Sequence, residues 1–182
     1  MDARWVLGVL ACACACEPGE MVSLGTFRVV ATRTGMTCGA QSAPYAPRAE
    51  FTVALQVAAG TLTWTPVGAD PTRGTWNAPA RVFRVFQDQD IVAWGPDRRR
   101  DIVGCVLHRS DVIEGTVEMS AGDAGVGGDA GAPEARSFTG TETIVFGVAQ
   151  GGGDCRPIVG AGDGQFSTLP CEVTYSLDAR RM

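Results

Sequence analysis

The chain holds a single histidine, so any acid–base or nucleophilic site that needs an imidazole must be built on His108. Ser110 and Asp111 follow it, supplying the residue types of a Ser-His-Asp triad. The surrounding residues read as a strand, however, and neighbours in a strand point to opposite faces. The triplet as written therefore cannot converge, and His108 is expected on the face opposite Val103, Cys105 and Leu107, in solvent. Carboxylates offer a second chemistry. Asp88, Asp90, Asp97 and Asp101 fall close together, and paired carboxylates can cleave glycosides or hold calcium. They lack the D-x-D-x-D-G spacing of a calcium loop, and Asp is favoured in turns for backbone reasons alone. No catalytic residue is assigned, and the chain is not expected to be an enzyme.

Other motifs are weaker still. The glycine-rich residues 151–154 and 160–164 lack the G-K-[ST] ending of a phosphate loop and open no helix. The stretch 127–131 lacks the period of calcium-binding nonapeptide repeats. Arg98, Arg99 and Arg100 are flanked by Asp97 and Asp101, which nearly neutralise them locally. A formal charge of −5 argues against nucleic acid, because phosphate binding runs on surplus cations. Cys38, Cys105, Cys155 and Cys171 are widely spaced and lack histidine partners, so neither a zinc site nor any other metal or cofactor is expected. In an exported protein these cysteines form two disulfides.

Export is suggested by the first residues, MDARWVLGVLACACACEPGE. Arg4 precedes an uncharged, mostly apolar run over 5–15, which suits a signal peptide and is too short for a membrane span of about 20 residues. Cys12, Cys14 and Cys16 each follow an Ala. Val9-Leu10-Ala11-Cys12 and Ala13-Cys14-Ala15-Cys16 resemble the lipobox of bacterial lipoproteins, in which a cysteine becomes the acylated N-terminus. The resemblance covers only about the first sixteen residues and implies lipidation at Cys16 or Cys12. Cleavage before Cys16 leaves the later cysteines as an even set. The expected organisation is a signal over 1–15, a tether over 16–25 and one domain over 26–180. The chain would then be held at a membrane by its lipid, in the cell envelope, facing the periplasm or the cell surface. An envelope protein is a possible partner.

Strand patterns fill the remainder, and the whole chain, at 45% apolar and 19% charged, has the composition of a folded protein. Residues 27–34 are rich in Val and Thr. Residues 51–58 alternate apolar and polar, turn at Ala59-Gly60 and return over 61–65 as a hairpin. Residues 66–79 read as a loop. Two further hairpins are expected, 81–87 with 91–94 around Asp88-Gln89-Asp90, and 102–109 with 112–119 around Ser110-Asp111. Residues 120–135 are a Gly/Ala/Asp loop, and 138–148 and 171–177 complete the set. No segment carries a helical apolar repeat. The fold class is all-β, a single antiparallel sandwich or meander barrel of about eight short strands. Pairing Cys155–Cys171 with Cys38–Cys105 is preferred because the first closes a short glycine-rich loop. A closed up-and-down barrel would favour Cys38–Cys171 instead.

Lipocalins open their first strand with G-x-W, and Gly25-Thr26-Phe27 is similar to it in place, with Phe for Trp. Gly74-Thr75-Trp76 has the residues, but in mid-chain. That resemblance implies an eight-stranded meander barrel carrying a small apolar ligand, its cavity lined by residues such as Phe51, Leu55, Trp64, Phe146 and Tyr175. The primary expectation is a non-enzymatic binding, structural or interaction role. Such a carrier is the first alternative and an envelope hydrolase the second.

Overall fold

A computed structural model of the chain describes residues 21–39, 45–95, 103–120, 134–160 and 166–182. Eight strands follow in order: β1 (Val22–Met36), β2 (Arg48–Ala58), β3 (Thr61–Pro66), β4 (Thr72–Asn77), β5 (Val82–Trp94), β6 (Cys105–Met119), β7 (Ala135–Gly153) and β8 (Cys171–Arg181). Each pairs antiparallel with the next, and β8 pairs with β1 from Phe27↔Arg181 to Met36↔Val173. The sheet is thus a closed barrel with no free edge, and the choice between sandwich and barrel is settled in favour of the barrel.

Alternation sorts the side chains. Phe27, Val29, Val53, Leu55, Leu62, Phe83, Val85, Val117, Phe138 and Val173 face inward and are fully or almost fully buried. Arg28, Glu50, Arg84 and Glu114 face outward and form cross-strand ion pairs. A membrane-spanning barrel carries its apolar band on the outside; this barrel has the reverse arrangement.

Near the end where β1 begins, the barrel is plugged by rings. Phe138 meets Phe27, Phe83 and Trp64 at centroid distances of 5.4, 5.5 and 5.8 Å. Room for Phe83 comes from the inward-facing Gly115, where a Cβ would lie 2.5 Å from the ring. At the other end, the walls are uneven. β3 and β4 have six residues each, whereas β5, β6 and β7 have 13, 15 and 19. The long strands stand above the short ones and leave an opening over the β3–β4 turn.

Several sequence expectations are corrected. Residues 22–25, assigned to the tether, are strand. The expected hairpins at Asp88-Gln89-Asp90 and Ser110-Asp111 are absent; both stretches lie inside long strands. They sit opposite one another in the β5–β6 ladder, with Asp88 paired to Ser110 and Asp90 to His108. Polar residues mid-strand mimic turns in the sequence, but neither stretch has the glycine a tight reversal needs. Conversely, 72–77, expected as loop, is β4. Its Gly74 faces inward where a Cβ would collide with the Arg84 carbonyl, so the glycine marks close strand approach and not a turn. The Ala59-Gly60 hairpin is present, with positive φ of 45° and 81°.

The preferred cysteine pairing is also corrected. The disulfides are Cys38–Cys171 and Cys105–Cys155, with Cα separations of 4.8 and 4.9 Å. Closure brings the end of β1 beside the start of β8, which sets the first. The Cys105↔Gly153 pairing of β6 and β7 sets the second. Both staple the end opposite the plug, and such bonds belong to an oxidising, extracytoplasmic setting.

Candidate functional site: the barrel mouth

Three inward positions of β6 and β7 interrupt the apolar interior. Register sets Ile113 against Glu142, Asp111 against Ile144 and Arg109 against Phe146. Arg109 donates from Nε to Oδ1 of Asp111 at 2.7 Å, and its Nη2 lies 2.7 Å from Oδ2, a bidentate pair that is largely buried. The same guanidinium sits 6.0 Å from the centroid of Phe146. Phe146 is packed in turn by Tyr45 and Phe166, at 5.4 and 5.6 Å, from the loops that precede β2 and β8. Tyr175 Oη donates to the Ala46 carbonyl and Arg33 Nη1 to that of Tyr45, so Tyr45 and Ala46 are pinned over this side of the mouth.

Glu142 is different. Among the described residues, nothing donates a hydrogen bond to its carboxylate or pairs with it. Burial pushes its pKa up and the Asp111 charge pushes it further, while Arg109 pulls it down only in part. Burial likewise raises the Asp111 carboxyl, against the hydrogen bond and charge of Arg109.

Beside these groups lies a cavity of about 600 Å³. Trp64, Phe51, Val85 and Ile113 supply its apolar wall, and Asp111 and Glu142 its polar one. Pro66, Asp70, Pro71 and Arg73, around the β3–β4 turn, form the low lip. Phe86, 52% exposed, stands beside the start of β4 and adds an apolar edge. Trp64 belongs to plug and cavity alike, since it also packs on Phe83 and Phe138.

The sequence candidates are distributed as follows. Of the expected cavity lining, Phe51 and Trp64 face the cavity. Leu55 is sealed in the core, and Phe146 and Tyr175 are buried on the covered side. His108 lies outside the barrel, as the strand phase required, with Nδ1 2.9 Å from Asp90 and Nε2 3.4 Å from Asp88. The hydrogen bond to Asp90 raises its pKa, against an opposing effect of burial, and the charges of Asp88 and Asp90 raise it further. Asp111 faces inward, away from His108. Asp97, Asp101, Arg98–Arg100, the 127–131 stretch and the lipidation candidates Cys12 and Cys16 lie outside the described residues. Among the described residues, no group of three potential ligands is placed to hold a metal, and no helix is long and apolar enough to cross a membrane.

Sequence reasoning missed Arg109, Asp111 and Glu142, although a signal was present. Asp111 shares the phase of the inward Ile113, and Glu142 that of Ile144 and Phe146; a charged residue on the apolar phase of a strand marks an interior polar site.

The class so defined is an eight-stranded up-and-down barrel, plugged at one end and bearing an amphipathic cavity at the other. Comparison with protein-family models, with curated proteins and with solved structures found no match to the chain.

Proposed function

We propose that this protein is an exported, lipid-anchored binding barrel, without catalytic activity, that takes a small ligand into its mouth. The observation that carries the reading is the cavity of about 600 Å³ between Trp64 and the β3–β4 lip, within the 300–1,000 Å³ typical of small-molecule sites. This is the lipocalin-like alternative raised by the sequence, with a more polar interior than that comparison implied. A hydrolase reading could point to Asp111 and Glu142. Arg109 holds Asp111 in a bidentate pair, however, and the single imidazole is on the opposite face of the sheet, so the site has ligand-holding groups without an evident proton relay. The anchor rests on the similarity of residues 9–16 to a lipobox, and the disulfides are consistent with export. An envelope protein remains a compatible partner at the rim.

The test of binding uses the neutral fluorescent probe N-phenyl-1-naphthylamine. Its emission should rise on mixing with the protein, and Ile113→Trp, which narrows the cavity beside Glu142, should weaken the rise. Equal uptake by the narrowed variant, or none by the wild type, would remove the cavity from consideration. The anchor is tested by the intact mass of the membrane-bound form. Acyl groups on a chain starting at Cys16 or Cys12 are expected, as is release by the double change Cys12→Ala/Cys16→Ala; retention of that variant in membranes would count against lipidation.

A further inference from the structure

We infer that the ligand is an organic cation, an amine with an apolar body, and that Glu142 is its counter-charge. The inference rests on the cavity-binding reading above and adds the chemistry of the occupant. Any ligand that fills the cavity expels water from the Glu142 carboxylate. A carboxylate stripped of water must gain a cation or a proton, because leaving it charged and unpaired is strongly unfavourable. Among the described residues no cation pairs with it, and Arg109 offsets its charge only in part, because the Nε–Nη2 edge is committed to Asp111. Arg73, on the lip, lies across the mouth and makes no ion pair with Glu142. An ammonium group brought by the ligand meets the requirement directly.

The other walls suit the same molecule. Trp64 and Phe51, at a centroid separation of 6.3 Å, offer ring faces and edges to an apolar body, and a cation near an aromatic face is attracted to it. Asp70 on the lip adds a second negative charge on the way in. An anionic ligand would face Glu142, Asp111 and Asp70 together. A neutral one would have to leave Glu142 desolvated or protonate it.

The charge argument fixes the sign of a pH effect. Glu142 is faced by Asp111 and Arg109 from β6, by Tyr175 from β8 with Arg33 behind it, by Tyr45 from the loop before β2, and by Asp70 and Arg73 across the mouth. An amine pairs with ionised Glu142, so its binding weakens as pH falls and the carboxylate takes up a proton. A neutral ligand of the same shape shows the opposite trend.

The experiment is calorimetric titration of n-octylamine, 1-octanol and octanoate into the folded chain at about pH 7.5 and about pH 5, where the amine is protonated throughout. Octylammonium should bind tighter than octanol by about tenfold or more at the higher pH, a charge-assisted contact's worth. Octanoate should be weakest. Glu142→Gln should erase the amine's advantage, and the pH trend of the unmodified protein gives the same answer should that variant fold poorly. If N-phenyl-1-naphthylamine enters the cavity but the amine has no advantage, or keeps it in Glu142→Gln, the charge assignment is wrong while the cavity reading stands. If neither the dye nor any octyl probe binds, the cavity reading falls and this inference with it.

Discussion

Glu142 is held inside the barrel at a cost that pH should expose. Its pKa is raised above the usual 4.5, mainly by burial. An acid with a raised folded-state pKa favours folding below its unfolded pKa, and that contribution is lost as pH rises through the folded value. The protein without ligand should therefore gain stability as pH falls from neutral toward the glutamate range. Glu142→Gln should melt higher than wild type at neutral pH, with the difference shrinking on acidification; parallel melting curves at both pH values would contradict this. His108 offers a second check, and as the only histidine it gives a single imidazole signal. Its proton resonance should titrate above 6.5, and Asp90→Asn should bring the midpoint down. The pair is exposed, so global stability should barely respond. The outward position of His108 was legible from strand phase alone, because period two is local. Its carboxylate partners were not: Asp88 and Asp90 are eighteen or more residues away and reach it only through the β5–β6 register.

At the scale of the strand, glycines do two kinds of work that the sequence does not separate. Gly115 leaves space for the Phe83 ring, whereas a Cβ on Gly147 would meet nothing within 4 Å. Gly115→Ala should destabilise the barrel by about 1–3 kcal/mol through overpacking, while Gly147→Ala should change stability by less than about 0.5 kcal/mol. Urea denaturation of both variants measures the contrast, and equal effects would mean the plug yields more easily than its ring contacts imply. The all-β class, the Ala59-Gly60 hairpin and the approximate span of 138–148 could be read directly, since each depends on alternation and turn chemistry within one segment. β4 and the continuity of β5 and β6 could not. TRGTWN has no apolar alternation and is held as a strand by its neighbours, and Asp-Gln-Asp looks like a turn until a partner strand lies opposite it.

For the whole molecule, closure is the controlling event. The β1–β8 seam joins strands from the two ends of the chain, and Cys38–Cys171 spans a separation of 133 residues against 50 for Cys105–Cys155. Loop entropy alone makes these worth about 5 and about 4 kcal/mol relative to the reduced unfolded chain. Cys38→Ala/Cys171→Ala should lower the denaturation midpoint more than Cys105→Ala/Cys155→Ala; the reverse order would show that the mouth, and not the seam, limits stability. The pairing was undecidable from spacing because it follows from topology: the barrel alternative contained the right partner for Cys38, and the preference for a short loop did not.

The direction of the strands also gives the barrel a polarity. β1 enters at Val22 and β8 leaves at Arg181, both at the plugged end, where Met182 still bonds to the Thr26 carbonyl. The ends of β1, β3, β5 and β7 and the starts of β2, β4, β6 and β8, with both disulfides, gather at the opposite pole. A lipid on Cys12 or Cys16 would therefore hold the molecule by its floor, with the mouth turned toward the aqueous phase. Such a barrel would collect its ligand from solution, not draw it out of the bilayer beneath.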